Sequence, residues 1–201
     1  MPAPAHYRRI HRLLLSPGTA VLVTTSGGRY LIDRSVLVCV SGPAAMPTIS
    51  GILSGLPDGV YKVHATLPPR PQPNLQPVPD AIESALGRLH HAQQWRPVTA
   101  TGWCFLNGDG ATAVRILARN DTTGPHHTAV NAALWYRWAS QLAELRCAMN
   151  AYQPDGKPGH ALRIDMAPKH APAATVGYIM PVKIRADDRY PAEYLAQRTG
   201  I

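Results

Sequence analysis

Residues 68–79, PPRPQPNLQPVP, hold six prolines in twelve positions. Proline fixes φ and has no amide hydrogen, so this stretch is extended and semi-rigid, with no means of packing as a helix or a central strand. It divides the chain. Residues 1–67 are expected as a shortened N-terminal domain, 68–79 as the linker, 80–185 as a C-terminal domain and 186–201 as a loosely attached tail. The same stretch could be a proline-rich ligand for another domain, but that reading explains nothing else in the sequence.

On either side, hydrophobic periodicity sets the elements. Residues 5–15 (AHYRRIHRLLL) predict a short helix, stopped by Ser16-Pro17-Gly18. Residues 19–25 and 29–33 predict a hairpin across Ser26-Gly27-Gly28, and 35–41 and 60–67 predict further strands. Beyond the linker, a helix capped by Asp80 is expected to about residue 94, with Arg88 and His91 on its wet side. Strands follow at 97–106 and 111–119, joined by Asn107-Gly108-Asp109-Gly110, and then a polar connection at 120–127 with room for a short strand. Residues 128–150 predict the longest helix, striped by Val130, Leu134, Trp138, Leu142, Leu145 and Met149. Trp138 falls on that stripe, whereas Trp135 lies off it and is a candidate for a domain or subunit contact. Residues 160–166 predict a strand. In 174–185, ATVGYIMPVKIR, Val176, Tyr178, Met180 and Val182 alternate onto one face, and Pro181 marks an edge, a bulge or an end.

Charge narrows the partners. A net charge of +8 favours a polyanion, although charge alone speaks only to non-specific attraction. The apolar run at residues 13–15 is too short for a signal-peptide core, and longer runs are broken by Arg, Pro or Gly, so a soluble cytoplasmic protein is expected. The three cysteines stand apart with no C-x-x-C pair, consistent with reduced, buried thiols.

Catalytic chemistry finds little footing. The Asn-Gly-Asp-Gly loop lacks the spaced carboxylates of a calcium loop and the Gly-Lys-Ser/Thr of a phosphate loop. His90-His91 and His126-His127 are adjacent pairs without a completing ligand at metal spacing. No nucleophile elbow and no tight carboxylate pair stands out. No catalytic residue, metal or cofactor is assigned, and a non-enzymatic protein is expected.

The second half resembles a DNA sliding clamp of the bacterial β type. The resemblance is carried by Arg96-Pro97-Val98 running into TATGWCFLNGDGATAVRILARND (99–121), by Val130-Asn131-Ala132-Ala133-Leu134, and by Tyr178-Ile179-Met180-Pro181-Val182-Lys183-Ile184. The last is similar to the family's closing Tyr-x-x-Met-Pro-Met-Arg-Leu, with Tyr178 one position closer to Met180. The resemblance implies an α+β DNA-clamp fold: two modules of helices backed by antiparallel sheets, assembling into a ring. Bacterial clamps carry more domains per subunit than this chain can hold, so a closed ring implies a homotrimer more readily than a homodimer. A reduced clamp of this size would suit a phage or plasmid replicon.

The implied function is that of a processivity factor encircling duplex DNA and tethering a DNA polymerase and other clamp-binding peptides. Residues Arg8, Arg9, Arg12, Arg88, His91, Arg137 and Arg146 would face DNA, or they are ordinary solvated helix faces. Carried over from the family, the client-peptide pocket points to Tyr178, Met180, Pro181 and Val182, with Pro77 and Val78 beside them, or the same side chains are closed core. The alternatives are a small basic DNA-binding accessory protein that forms no ring, and an enzyme or inhibitor on an α+β scaffold.

Overall fold

The computed structural model describes residues 19–25, 28–33, 35–39, 56–64, 70–72, 74, 84, 94–106, 112–121, 124–155 and 160–182. The helices expected at 5–15 and 80–94 and the loop at 107–110 lie outside these residues or are described at single positions only.

The first half supplies β1 (Thr19–Thr25), β2 (Gly28–Ile32), β3 (Val36–Cys39), β4 (Gly59–His64) and β5 (Arg70–Pro71). The second half supplies β6 (Trp95–Leu106), β7 (Ala113–Asp121), β8 (Gly124–Asn131), α1 (Ala132–Glu144), β9 (Cys147–Pro154), β10 (Leu162–Pro168) and β11 (Ala174–Ile179). All the strands join one antiparallel sheet of 11 strands, in the order β5-β4-β1-β2-β3-β11-β10-β9-β6-β7-β8. The expected α+β clamp fold, two modules of helices backed by antiparallel sheets, is therefore not what forms: the described chain is mostly one large antiparallel sheet with a single helix. Among the described residues one helix runs its full length, and strand pairing is unbroken from the first half into the second. The cause is a long-range pairing: Val36, Leu37 and Val38 on β3 pair with Ile179, Tyr178 and Gly177 on β11, which makes β11 a central strand.

β11 ends at Ile179, just before the Met180-Pro181 step, as proline's missing donor requires of a central strand. Its alternation is broken earlier by a bulge. The β10 partners step from Ile164 with Gly177 to Asp165 with Thr175, leaving Val176 unpaired. Val176 consequently joins Ile179 in the main core, while Tyr178 packs on the opposite side of the sheet with Ala161, Tyr30, Leu37 and Trp95.

The predicted helix at 128–150 is shorter than its hydrophobic stripe. Thr128 and Val130 are β-branched and remain in β8, and the Asn131 side chain caps the helix by accepting the Leu134 N–H at 3.0 Å. At the other end the chain turns at Arg146, whose φ of 56° is left-handed, and Cys147 to Asn150 enter β9. Helix α1 lies against β7, β8 and β9. Ala132, Leu134, Trp135, Trp138 and Leu142 are buried on its inner side, so Trp135 is core and not a subunit contact. The main cluster spans both halves, from Ala20, Leu22 and Leu31 to Leu162, Ile164 and Ile179.

The sheet bends at β6. Residues 95–98 pair with β9, whereas 99–106 pair with β7 across a register shift between Ala100 and Cys104. Thr101 stitches the irregularity, its Oγ1 donating to Ile116 O at 2.8 Å and accepting from the Trp103 N–H at 3.1 Å. Through this bend β7 and β8 come round α1, and the chain leaving β11 meets them: Val182 N–H donates to Ala129 O at 2.8 Å.

Candidate nucleic-acid interface

Burying Trp135, Trp138 and Leu142 turns the other side of α1 outward. Ala133, Tyr136, Ser140, Ala143 and Glu144 are exposed there and Arg137 is half-buried. Period-two alternation on β7 points Val114 and Ile116 to one face and Arg115 to the other, toward the helix. Arg115 crosses to α1, where its Nη1 donates to the Tyr136 hydroxyl and its Cζ lies 5.1 Å from the Tyr136 ring. Its Nη2 donates to Thr101 O at 2.9 Å. A planar, permanently charged guanidinium is thereby held against an aromatic ring at the surface.

Two further cations extend this side. Arg146 is exposed immediately past the helix. Cys147 pairs with Pro168, so the exposed Lys169 and His170 lie at the same end of the sheet as Arg146. Among the described residues, Arg115, Arg137, Arg146 and Lys169 thus accompany α1 and the turn beside it, with Glu144 the acidic residue on the helix surface. Arg115 and Lys169 are absent from the sequence-based set. Arg115 was legible in the alternation of β7, whereas the position of Lys169 depended on strand register.

Of the other expected DNA-facing residues, Arg8, Arg9, Arg12, Arg88 and His91 lie outside the described residues, as do Pro77 and Val78 of the expected pocket. The remaining pocket residues separate. Tyr178 is 3% exposed and closed into the sheet, whereas Met180 is 49% exposed. Pro181 is half-buried, and Val182 packs with Trp103 and Phe105 against Val114, Ile116 and Ala129. They do not share one face, because β11 ends at Ile179 and the segment beyond it leaves the strand's alternation.

The face opposite α1 is closed by its own polar contacts. Arg163 stands between Trp95 and Tyr152, its Cζ 4.8 Å from each ring, and pairs with Asp165 at 3.1 Å. Thr175 Oγ1 donates to the other Asp165 oxygen at 2.9 Å. Burial pushes the nearby Cys39 thiol up to about 11 and raises the Tyr178 phenol further, with the Cys39 charge adding to the effect. Both groups stay protonated at neutral pH. A second buried set, Thr128 Oγ1 to Gln153 Oε1 at 2.8 Å and Gln153 Nε2 to His160 O at 2.9 Å, ties β8 to β9. Among the described residues no cluster of His, Cys, Asp or Glu is arranged to hold a metal, and no helix is long and apolar enough to cross a membrane.

Compared with known protein families, curated proteins and solved structures, the chain finds no match.

Proposed function

We propose that the protein is a small basic DNA-binding accessory protein that grips duplex phosphates without reading bases. The observation that supports this reading is the succession of Arg115, Arg137, Arg146 and Lys169 along the outward side of α1 and the turn beside it, in a chain of net charge +8. Cations on a helix and the turn beside it can meet phosphates, which position a protein on duplex DNA without carrying sequence information. Binding of this kind releases counterions, with log K falling by roughly 0.9 per phosphate contact for each unit of log salt. Fluorescence anisotropy with two duplexes of unrelated sequence, over a salt series, tests it. Equal affinities are expected, and Arg137→Ala with Arg146→Ala should flatten the slope by about 1–2. Strong preference for one sequence, or an unchanged slope in the double variant, overturns the reading.

A second reading keeps the tethering part of the processivity role, without the ring. It is favoured by one observation: the segments that carry the clamp resemblance meet in space, with Val182 and Phe105 packed on the same small cluster and Val182 bonded to Ala129, two residues before the helix cap. The exposed Met180 beside them could hold a polymerase peptide, methionine being an adaptable contact. Met180→Asp should then lower polymerase processivity on primed template while leaving duplex affinity unchanged. Processivity unaltered by that substitution rejects the tether.

A further inference from the structure

The cationic side of α1 leaves one aromatic ring in water. Tyr136 is 51% exposed, yet it is held in place. The Arg115 guanidinium donates to the Tyr136 hydroxyl from Nη1 and to Thr101 O from Nη2, so one rigid fork ties the ring to β6 and β7. A phenol hydroxyl lies at the edge of its ring, so this hold fixes the ring and still leaves about half of the residue uncovered. The floor beside it is low and largely apolar. Cys104 pairs with Arg115 and Leu106 with Ala113, so these side chains share the face on which Arg115 reaches the helix. Cys104 is exposed, Leu106 is 60% exposed, and beyond its chain neighbours Gly102 has no atom within 4 Å of the place a Cβ would take. Solitary exposed apolar side chains are ordinary. A fixed ring with a fixed positive charge at its edge and small apolar side chains beside it suits a flat aromatic group that carries negative charge nearby. A nucleobase on its phosphate chain has that chemistry.

We propose that Tyr136 stacks an unpaired base, so that the protein binds best where a single strand leaves a duplex. This deepens the duplex-phosphate reading and rests on it. Arg137 is the next residue of α1, and Arg146 and Lys169 lie past the helix end, so phosphates can be held on the side of the molecule that presents the ring. A base inside the duplex is covered on both faces by its neighbours, and reaching a side-chain ring requires it to leave the stack. A base already outside the pairing meets the ring without that cost. Every base has a π-face, so stacking of this kind adds affinity without sequence preference.

Fluorescence anisotropy with three ligands tests it: a blunt duplex, the same duplex with a short single-stranded tail, and the same duplex with a tail of abasic sites. The abasic tail keeps the phosphates and loses the bases. The parent should bind the base-bearing tail at least about fivefold more tightly than the abasic one, the effect of one stacked base. Tyr136→Ala keeps a good helix former at an exposed position and should bring that ratio to about one. Tyr136→Phe retains the ring and should retain most of the ratio. Equal binding of the two tails by the parent, or a ratio that survives in Tyr136→Ala, overturns the proposal. So does a parent dimer that Tyr136→Ala converts to single-chain mass in light scattering, since a second copy would then cover the ring. Blunt duplex bound with the expected salt slope but no preference between the tails sinks the stacking alone. Preference for the base-bearing tail without binding of blunt duplex sinks the duplex reading and leaves the stacking standing.

Discussion

Gly177 offers the sharpest test of how the two halves are held together. It lies on β11 facing both α1 and β3, and a Cβ built there would stand 2.6 Å from Trp138 Cη2 and collide with the Leu37 carbonyl oxygen. The indole is fully buried, and the carbonyl belongs to a strand paired on both sides, so neither can move far. Forcing an extra methyl into such a site costs roughly 1–3 kcal/mol. The backbone conflict puts Gly177→Ala at the upper end, about 3 kcal/mol. In a chain of this length each kcal/mol lowers the melting midpoint by roughly 2–4 °C, so a fall of about 6–12 °C is expected by circular dichroism. Phenylalanine lacks the indole's outer ring, so Trp138→Phe should relieve part of the clash. The double variant should be at least about 1 kcal/mol more stable than the summed single effects. A Gly177→Ala protein within about 0.5 kcal/mol of the parent, or a pair whose effects simply add, would refute the proposed contact between α1 and the β3–β11 seam.

Three further outcomes follow from particular side chains. Cys39, raised by burial from 9.0 to about 11, holds its proton in the folded chain where the unfolded chain has lost it. Its contribution is intact below about pH 9 and is lost as the pH climbs toward about 11, at most about 3 kcal/mol. Urea midpoints measured across that interval should fall in the parent and fall less in Cys39→Ala. Arg146 holds a left-handed φ of 56° that glycine adopts without steric cost, so Arg146→Gly should raise stability by up to about 1 kcal/mol while weakening duplex binding. A variant that loses both would show that the Arg146 side chain carries packing. Asp165→Asn takes the charge from a buried carboxylate that accepts bonds from Arg163 and Thr175, and should cost roughly 1–3 kcal/mol in chemical denaturation; a neutral result would mean the Arg163 guanidinium is held by Trp95 and Tyr152 alone.

The sequence by itself determined where most strands lie and that its one described helix falls within residues 128–150. Val, Thr and aromatic runs broken by glycine turns are local signals, whereas the boundary between β8 and α1 at Asn131 appeared only in the structure. The basic balance and the outward position of Arg137 were also readable, since they need only composition and a helical period. Tertiary structure decided the rest. Whether β11 would be an edge or a centre depended on β3, far away in the chain, whose backbone pairs with it. The bulge at Val176 turned two supposed neighbours, Tyr178 and Val176, to opposite sides of the sheet. Trp135, expected off the stripe, stands three residues before Trp138 and seven before Leu142, so it shares their face and is buried where α1 meets β7, β8 and β9. Lys169 joins Arg146 only through strand register, and Arg115 reaches Tyr136 only because β7 packs against α1. Each of these depends on hydrogen bonds and contacts between residues distant in sequence, which a reading of local pattern does not contain.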